Sequence, residues 1–117
     1  MTKETLEPYN ITRGEDVNLV LAFQEGEAYV DLSTFTNIKC DFREGRDQSA
    51  NLIFSKSLGS GITVSGTGNK DMTIALSREN TLLFQQGTYY FDIFLYVGAV
   101  ATTWVEGTII VSPNITA

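Results

Sequence analysis

The side chains best placed to do chemistry are three carboxylates, Asp41, Asp92 and Glu106. Paired acids can act as general acid and base, or give oxygens to a calcium ion, which takes roughly six to eight of them. Asp92 lies in residues 88–96 (TYYFDIFLY) and Glu106 in residues 102–111 (TTWVEGTIIV), on either side of Gly98. A chain that turns near Gly98 sets these two acids opposite each other, and like charges directly opposed destabilise a strand pair. Asp41 shares the NIKCDFR segment with Lys39 and Arg43, the cations expected to neutralise the pair. A surface ion cluster is therefore the expected use of these acids. A calcium site on Asp41, Asp92 and Glu106 is disfavoured because no Asp-rich loop completes the shell, and two carboxylates without a cleft do not make a catalyst.

The remaining reactive types add little. The chain has no histidine, which removes the commonest general base and metal ligand. The single cysteine, Cys40, excludes an intrachain disulfide, and nothing beside it activates a thiolate. Its spacing with Ile38 and Phe42 places it inward as a small hydrophobe. Gly59, Ser60 and Gly61 suggest a phosphate loop, but Val64 replaces the third glycine and no helix follows, so a flexible turn is expected. Two Asn-Ile-Thr sequons, at Asn10 and Asn114, read as chance matches without a secretion signal. No catalytic, cofactor-binding or metal-binding residue is expected, and the protein reads as a non-enzyme.

The elements that carry these groups are strands. Residues 88–96 and 102–111 are rich in aromatic and β-branched residues, alternate with a period of two, and contain no proline. An unpaired carboxylate in an apolar interior costs several kcal/mol, so Asp92 faces outward and Tyr89, Phe91, Ile93 and Leu95 face the core. The matching inward set on the next strand is Val105, Gly107, Ile109 and Val111. The outer face then carries Tyr90, Phe94, Tyr96, Trp104 and Ile110. A sheet face that merely meets water reads polar, and each aromatic offers about 150–250 Å² of surface. That is too apolar to leave bare, so these five residues are the candidate protein interface.

Along the chain, residues 1–9 read as an N-terminal arm and residues 10–117 as one β-sandwich domain. A short edge strand at 10–13 ends at Gly14. Residues 16–24 alternate with Val17, Leu19, Leu21 and Phe23 inward, and Glu25, Gly26 and Glu27 turn. Leu32 and Phe35 plug an irregular crossing. Strands follow at 37–43, at 51–57 around Leu52 and Phe54, at Ile62 and Val64, and at 71–76 with Met72, Ile74 and Leu76 inward. Ser77 is an N-cap and Gly87 a stop for a short helical crossover near 77–85. Pro113 ends the last strand. Seven to eight short strands at about ten-residue spacing predict an all-β, immunoglobulin-like antiparallel β-sandwich.

Composition bounds the function. At 117 residues, 43% hydrophobic and 19% charged, the chain supports one core. A net charge of −6, with eight Lys and Arg scattered among fourteen acids, argues against nucleic acid and against anionic lipid. The start, MTKETLEPYN, shows no secretory h-region. The longest nearly apolar run, 89–101, contains Asp92 and is too short to span a bilayer. A soluble protein made in a reducing cytosol is expected.

The order of segments ITRGEDVNLVLAF (11–23), DLS (31–33), IKCDFR (38–43), ALSRENT (75–81), GTYYFDIFL (87–95) and GTIIVSP (107–113) resembles the N-terminal domain of the baseplate upper protein of tailed phages. The likeness runs over residues 11–116. It implies a non-catalytic, immunoglobulin-like virion protein, assembled in the host cytoplasm, that anchors other parts to the tail or baseplate. Because that family continues into segments holding a receptor-binding tip and this chain stops at Ala117, an adaptor of the tail, baseplate or fibre attachment region is expected. Capsid decoration is the alternative within the same class, and a carbohydrate-binding module with rings stacking on sugars is the alternative outside it. The partners expected are other virion proteins and further copies of the chain, with no nucleic acid, membrane or small-molecule substrate.

Overall fold

In a computed structural model the described residues are 2–5, 8–25, 27–45 and 50–113, with Thr2–Thr5 and Glu25 described for their backbone alone. The strands are β1 (Thr2–Thr5), β2 (Tyr9–Thr12), β3 (Val17–Ala22), β4 (Gln24–Glu25), β5 (Ala28–Tyr29), β6 (Asn37–Arg43), β7 (Leu52–Leu58), β8 (Gly61–Ser65), β9 (Asp71–Leu76), β10 (Gly87–Val97) and β11 (Val100–Ser112), with one helical turn, α1 (Arg78–Thr81). Nine strands join in the order β1-β11-β10-β6-β7-β8-β9-β3, with β2 also on β11, and β4 and β5 form a separate ribbon. The order folds over where β7 meets β8 through a short parallel bridge, Ser57 to Gly61 and Leu58 to Ile62. One side is thus β11-β10-β6-β7 and the other β8-β9-β3, enclosing one core: the all-β, immunoglobulin-like sandwich that the strand spacing predicts. The strand count exceeds seven to eight partly because Thr2–Thr5, read as part of an arm, lies as a parallel strand along β11.

Alternation explains which residues make the core. Leu19, Leu21, Ile38, Cys40, Phe42, Met72, Ile74, Leu76, Phe91, Ile93, Leu95, Val105, Ile109 and Val111 are all buried, and fully burying a leucine or phenylalanine contributes about 1.5–3 kcal/mol. Four rings form its centre: Phe42 stacks on Phe54 at 4.6 Å and tilts against Phe91 at 5.7 Å, while Phe84 lies 5.6 Å from Phe54. Gly107 sits opposite Phe91 across the ladder. A Cβ at Gly107 would collide with the Phe91 ring, so the glycine is what lets the far end of that ring approach β11. Leu32 plugs the crossing before β6 from a 3-10 turn whose cap, Asp31, accepts from the Ser33 amide at 2.9 Å.

The crossover between β9 and β10 is tied in three ways. Ser77 caps α1 in a reciprocal box with Asn80. Arg13 donates from Nε to the Phe84 carbonyl at 2.6 Å and from Nη2 to the Leu82 carbonyl at 3.0 Å, satisfying oxygens at the helix end. The Tyr89 hydroxyl accepts from the Gln85 amide at 2.8 Å, a tyrosine at the start of a strand bonding back to the corner before it.

Two expectations need correction. Gly87 does not stop the helix, which closes at Leu82; Gly87 opens β10. Leu52 does not face the core and is 51% exposed. The ladder between β6 and β7 slips beside Arg43, pairing Phe42 with Phe54 but Arg43 with Leu52, so Ile53 is the extra residue and Leu52 is turned outward. The Gly26 turn, most of the charged loop (46–49) and the Asn114 sequon lie outside the described residues.

Candidate functional site

The outer face of β6, β10 and β11 is built in rows, because paired residues on adjacent strands point the same way. Gly98, with φ 65°, and Ala99 close the hairpin between Val97 and Val100. A two-residue loop with glycine first suits a type II′ turn, whose twist matches that of the strands. The Thr36 hydroxyl accepts from the Gly98 amide at 2.8 Å and so pins the tip to the start of β6. A bulge at Thr102 then restores the register that the two faces require.

One row is Lys39, Phe94 and Trp104, and the next is Asp41, Asp92 and Glu106. Beyond it Arg43 stands beside Tyr90, and on the side nearer the tip Asn37 pairs with Tyr96. The expected opposition of Asp92 and Glu106 is present. The three acids point away from the apolar core, yet Asp41 is only 6% exposed, Asp92 3% and Glu106 4%. Sequence reasoning placed them on an open surface; all three are instead buried, with Asp92 bonded to Trp104 and Asp41 to Ser55 and Arg43.

The cover is specific. Trp104 stacks on Phe94, with centroids 5.8 Å apart and planes 17° from parallel. Its indole Nε1 donates to Asp92 Oδ1 at 2.9 Å. Ser55 donates to Asp41 Oδ1 at 2.7 Å, and Arg43 Nη2 donates to Asp41 Oδ2 at 3.3 Å. Lys39 Nζ lies 3.8 Å from Asp41, and Arg43 Nε lies 4.0 Å from Asp92. Both expected cations thus serve the acid row, with Arg43 between two carboxylates. That position leaves its Nε buried without a hydrogen bond among the described residues, a costly state for a charged donor.

The electrostatic result is an Asp92 carboxyl raised above its usual range. Burial is the main cause; the Trp104 hydrogen bond lowers it, Glu106 raises it, Arg43 lowers it and Asp41 raises it. On the opposite side of the sheet, burial pushes the Cys40 thiol well up, which keeps it protonated and unreactive. Among the described residues no three His, Cys, Asp or Glu side chains converge as a metal site.

The five interface candidates lie on this face, with unequal access. Tyr90, Phe94, Tyr96 and Trp104 are half-buried, and Ile110 is 40% exposed. Trp104 is as much a lid on Asp92 as a contact residue. The sequence did not single out the tip, where Val97 is 51% and Val100 64% exposed; two valines flanking Gly-Ala were the available signal.

No family model matches the chain, and no curated protein does. Among solved structures, the extracellular domain of the voltage-gated sodium channel beta4 subunit, described as a parallel homodimer with a role in cell–cell adhesion, is 13% identical, covering 98% of this chain and 93% of that one at a TM-score of 0.41. The NK cell receptor NKp44, described as a triggering partner in natural cytotoxicity, is 10% identical, covering 96% and 100% at a TM-score of 0.43. Neither likeness bears on what this chain does.

Proposed function

We propose that this chain is a non-enzymatic structural subunit of a phage virion. It acts as an adaptor in the tail, baseplate or fibre attachment region and docks on its neighbours through the outer face of β10 and β11. The observation that carries the reading is that Tyr90, Phe94, Tyr96, Trp104 and Ile110 share one sheet face and all keep exposed surface. Rings clustered on a regular sheet give large contact area at small entropic cost, because the strands already hold them. The order of sequence segments, which resembles the phage baseplate domain, supplies the assembly.

A sugar platform is less well supported. It needs open rings flanked by free donors, whereas the Trp104 N–H is committed to Asp92 and its ring to Phe94. The deciding experiment is fractionation of intact particles into tails and capsids, followed by mass spectrometry for this chain. Recovery with tails or baseplates supports the adaptor role, recovery with capsids supports decoration, and absence from particles overturns the proposal.

A further inference from the structure

Asp41, Asp92 and Glu106 lie in lateral register on three adjacent strands, β6, β10 and β11, but the two aspartates are served unequally. Asp41 accepts from Ser55 and Arg43 and has Lys39 at 3.8 Å. Asp92 accepts at Oδ1 from the Trp104 indole at 2.9 Å. Its Oδ2 lies 4.0 Å from Arg43 Nε, an ion pair too long for a hydrogen bond. Oδ2 is therefore the oxygen that can take a proton without displacing a hydrogen bond among the described residues.

The groups around Asp92 are of both signs. From β6 it meets Lys39, Asp41 and Arg43, with Cys40 on the core side of that strand; from β11 it meets Glu106, and Tyr90 stands two residues before it on β10. Beyond β11, β1 brings Lys3 into register with Trp104 and Thr5 with Glu106. Burial raises the Asp92 carboxyl most, and the indole bond opposes that rise. Such coupling is reciprocal: since the indole bond makes Asp92 hold a proton less tightly, a proton on Asp92 weakens the indole bond. A hydrogen bond to a carboxylate is roughly twice as strong as one to a neutral acceptor.

We infer that Asp92 and Trp104 form a proton-operated catch on the outer face. With Asp92 ionised, the carboxylate grips the indole and Trp104 lies down as a lid. With a proton on Oδ2, Arg43 is left to Asp41, and the ring keeps its stack on Phe94 but loses its charged acceptor. The change falls above 3.8, the ordinary aspartate value, because burial dominates. The catch belongs to the free chain. Its use in docking, releasing Trp104 toward a neighbouring subunit in acid, rests on the virion role proposed above.

The chain has one tryptophan, so the indole N–H resonance and acrylamide quenching of the emission both report Trp104. As the free chain is titrated from mildly alkaline pH down to 3.8, the resonance should move upfield and quenching should increase in one step, with the far-UV spectrum unchanged. Asp92→Asn should abolish the step and hold the resonance near its acid position. Glu106→Gln should move the midpoint down and Arg43→Gln should move it up, which a purely structural role would not do. A resonance that stays put, a step that survives in Asp92→Asn, or a midpoint unmoved by both other variants would each overturn the inference. Loss of the far-UV signal before the resonance moves would do the same. Absence of the chain from particles would remove the docking use and leave the catch intact.

Discussion

Trp104 and Asp92 are joined across the final hairpin: the indole nitrogen donates to the carboxylate at 2.9 Å, on a diagonal between neighbouring rows. The same tryptophan lies on Phe94 and closes the face over an acid that is 3% exposed. Replacing it therefore reports on the acid as well as on any partner. Trp104→Phe keeps an aromatic ring and removes the donor, and should cost about 1–3 kcal/mol in urea denaturation. The Asp92 carboxyl, followed by carbon-detected NMR titration, should move further up.

Asp92→Asn tests the acid row from the other side. Asp92 titrates above its ordinary value of 3.8 when folded, so the folded state holds that proton more tightly than the unfolded state does. Its contribution to stability thus falls as pH rises from the unfolded value through the raised folded one, and at neutral pH the ionised group is a net cost. The asparagine oxygen can still accept from Trp104. The stability difference, variant minus wild type, should be positive at neutral pH and shrink toward zero as pH drops through that window. A difference that grows on acidification would show that the Arg43 and Trp104 contacts outweigh burial.

Gly107→Ala should be among the most damaging small substitutions in the chain. The added methyl meets the Phe91 ring, which packs against both Phe42 and Tyr9. Overpacking of this kind costs about 1–3 kcal/mol, readable as a melting temperature lowered by several degrees. Gly107→Ala combined with Phe91→Leu should recover part of the loss, because the smaller side chain vacates the collision.

Arg13→Met keeps the aliphatic stem of the side chain and removes the donors to Leu82 and Phe84. Charged hydrogen bonds of this type contribute about 1.5–3 kcal/mol. The effect should be local as well as global: amide exchange at residues 81–85 should accelerate more than exchange in β10.

For the docking face, Tyr96→Ser and Ile110→Lys are cleaner probes than Trp104, since neither side chain covers the acid row. Both variants should fold with nearly wild-type stability and be lost from assembled particles. Normal incorporation of both would remove the outer face from the assembly interface.

Much of this could be read from the chain. Alternation gave the inward residues of β3, β9, β10 and β11, and the limits of β6 coincide with the NIKCDFR segment. The opposition of Asp92 and Glu106 followed from a turn near Gly98, although a two-residue loop alone would have set Asp92 against Val105; the Thr102 bulge supplies the missing residue. What stayed hidden depends on partners rather than on local pattern. Leu52 is turned outward by a slip in its ladder with β6, which no single strand records. The burial of Asp41, Asp92 and Glu106 arises only when three strands align and Trp104, Arg43 and Ser55 converge from separate segments. β3 ends the strand order because both N-terminal strands pair with β11, a matter of topology.

The path of those N-terminal strands has a mechanical consequence. Thr2 lies beside Thr103 and Thr12 beside Ser112, both in parallel register, so the two ends of the described chain sit at opposite poles of β11, about 30 Å apart at ~3.3 Å per residue. Tension applied between Thr2 and Ser112 shears the β1 and β2 ladders lengthwise, straining their rungs together instead of unzipping them one after another. A subunit strung between two moving bodies by its ends would resist stretching along that axis far better than across it, and single-molecule extension along each direction would measure the ratio.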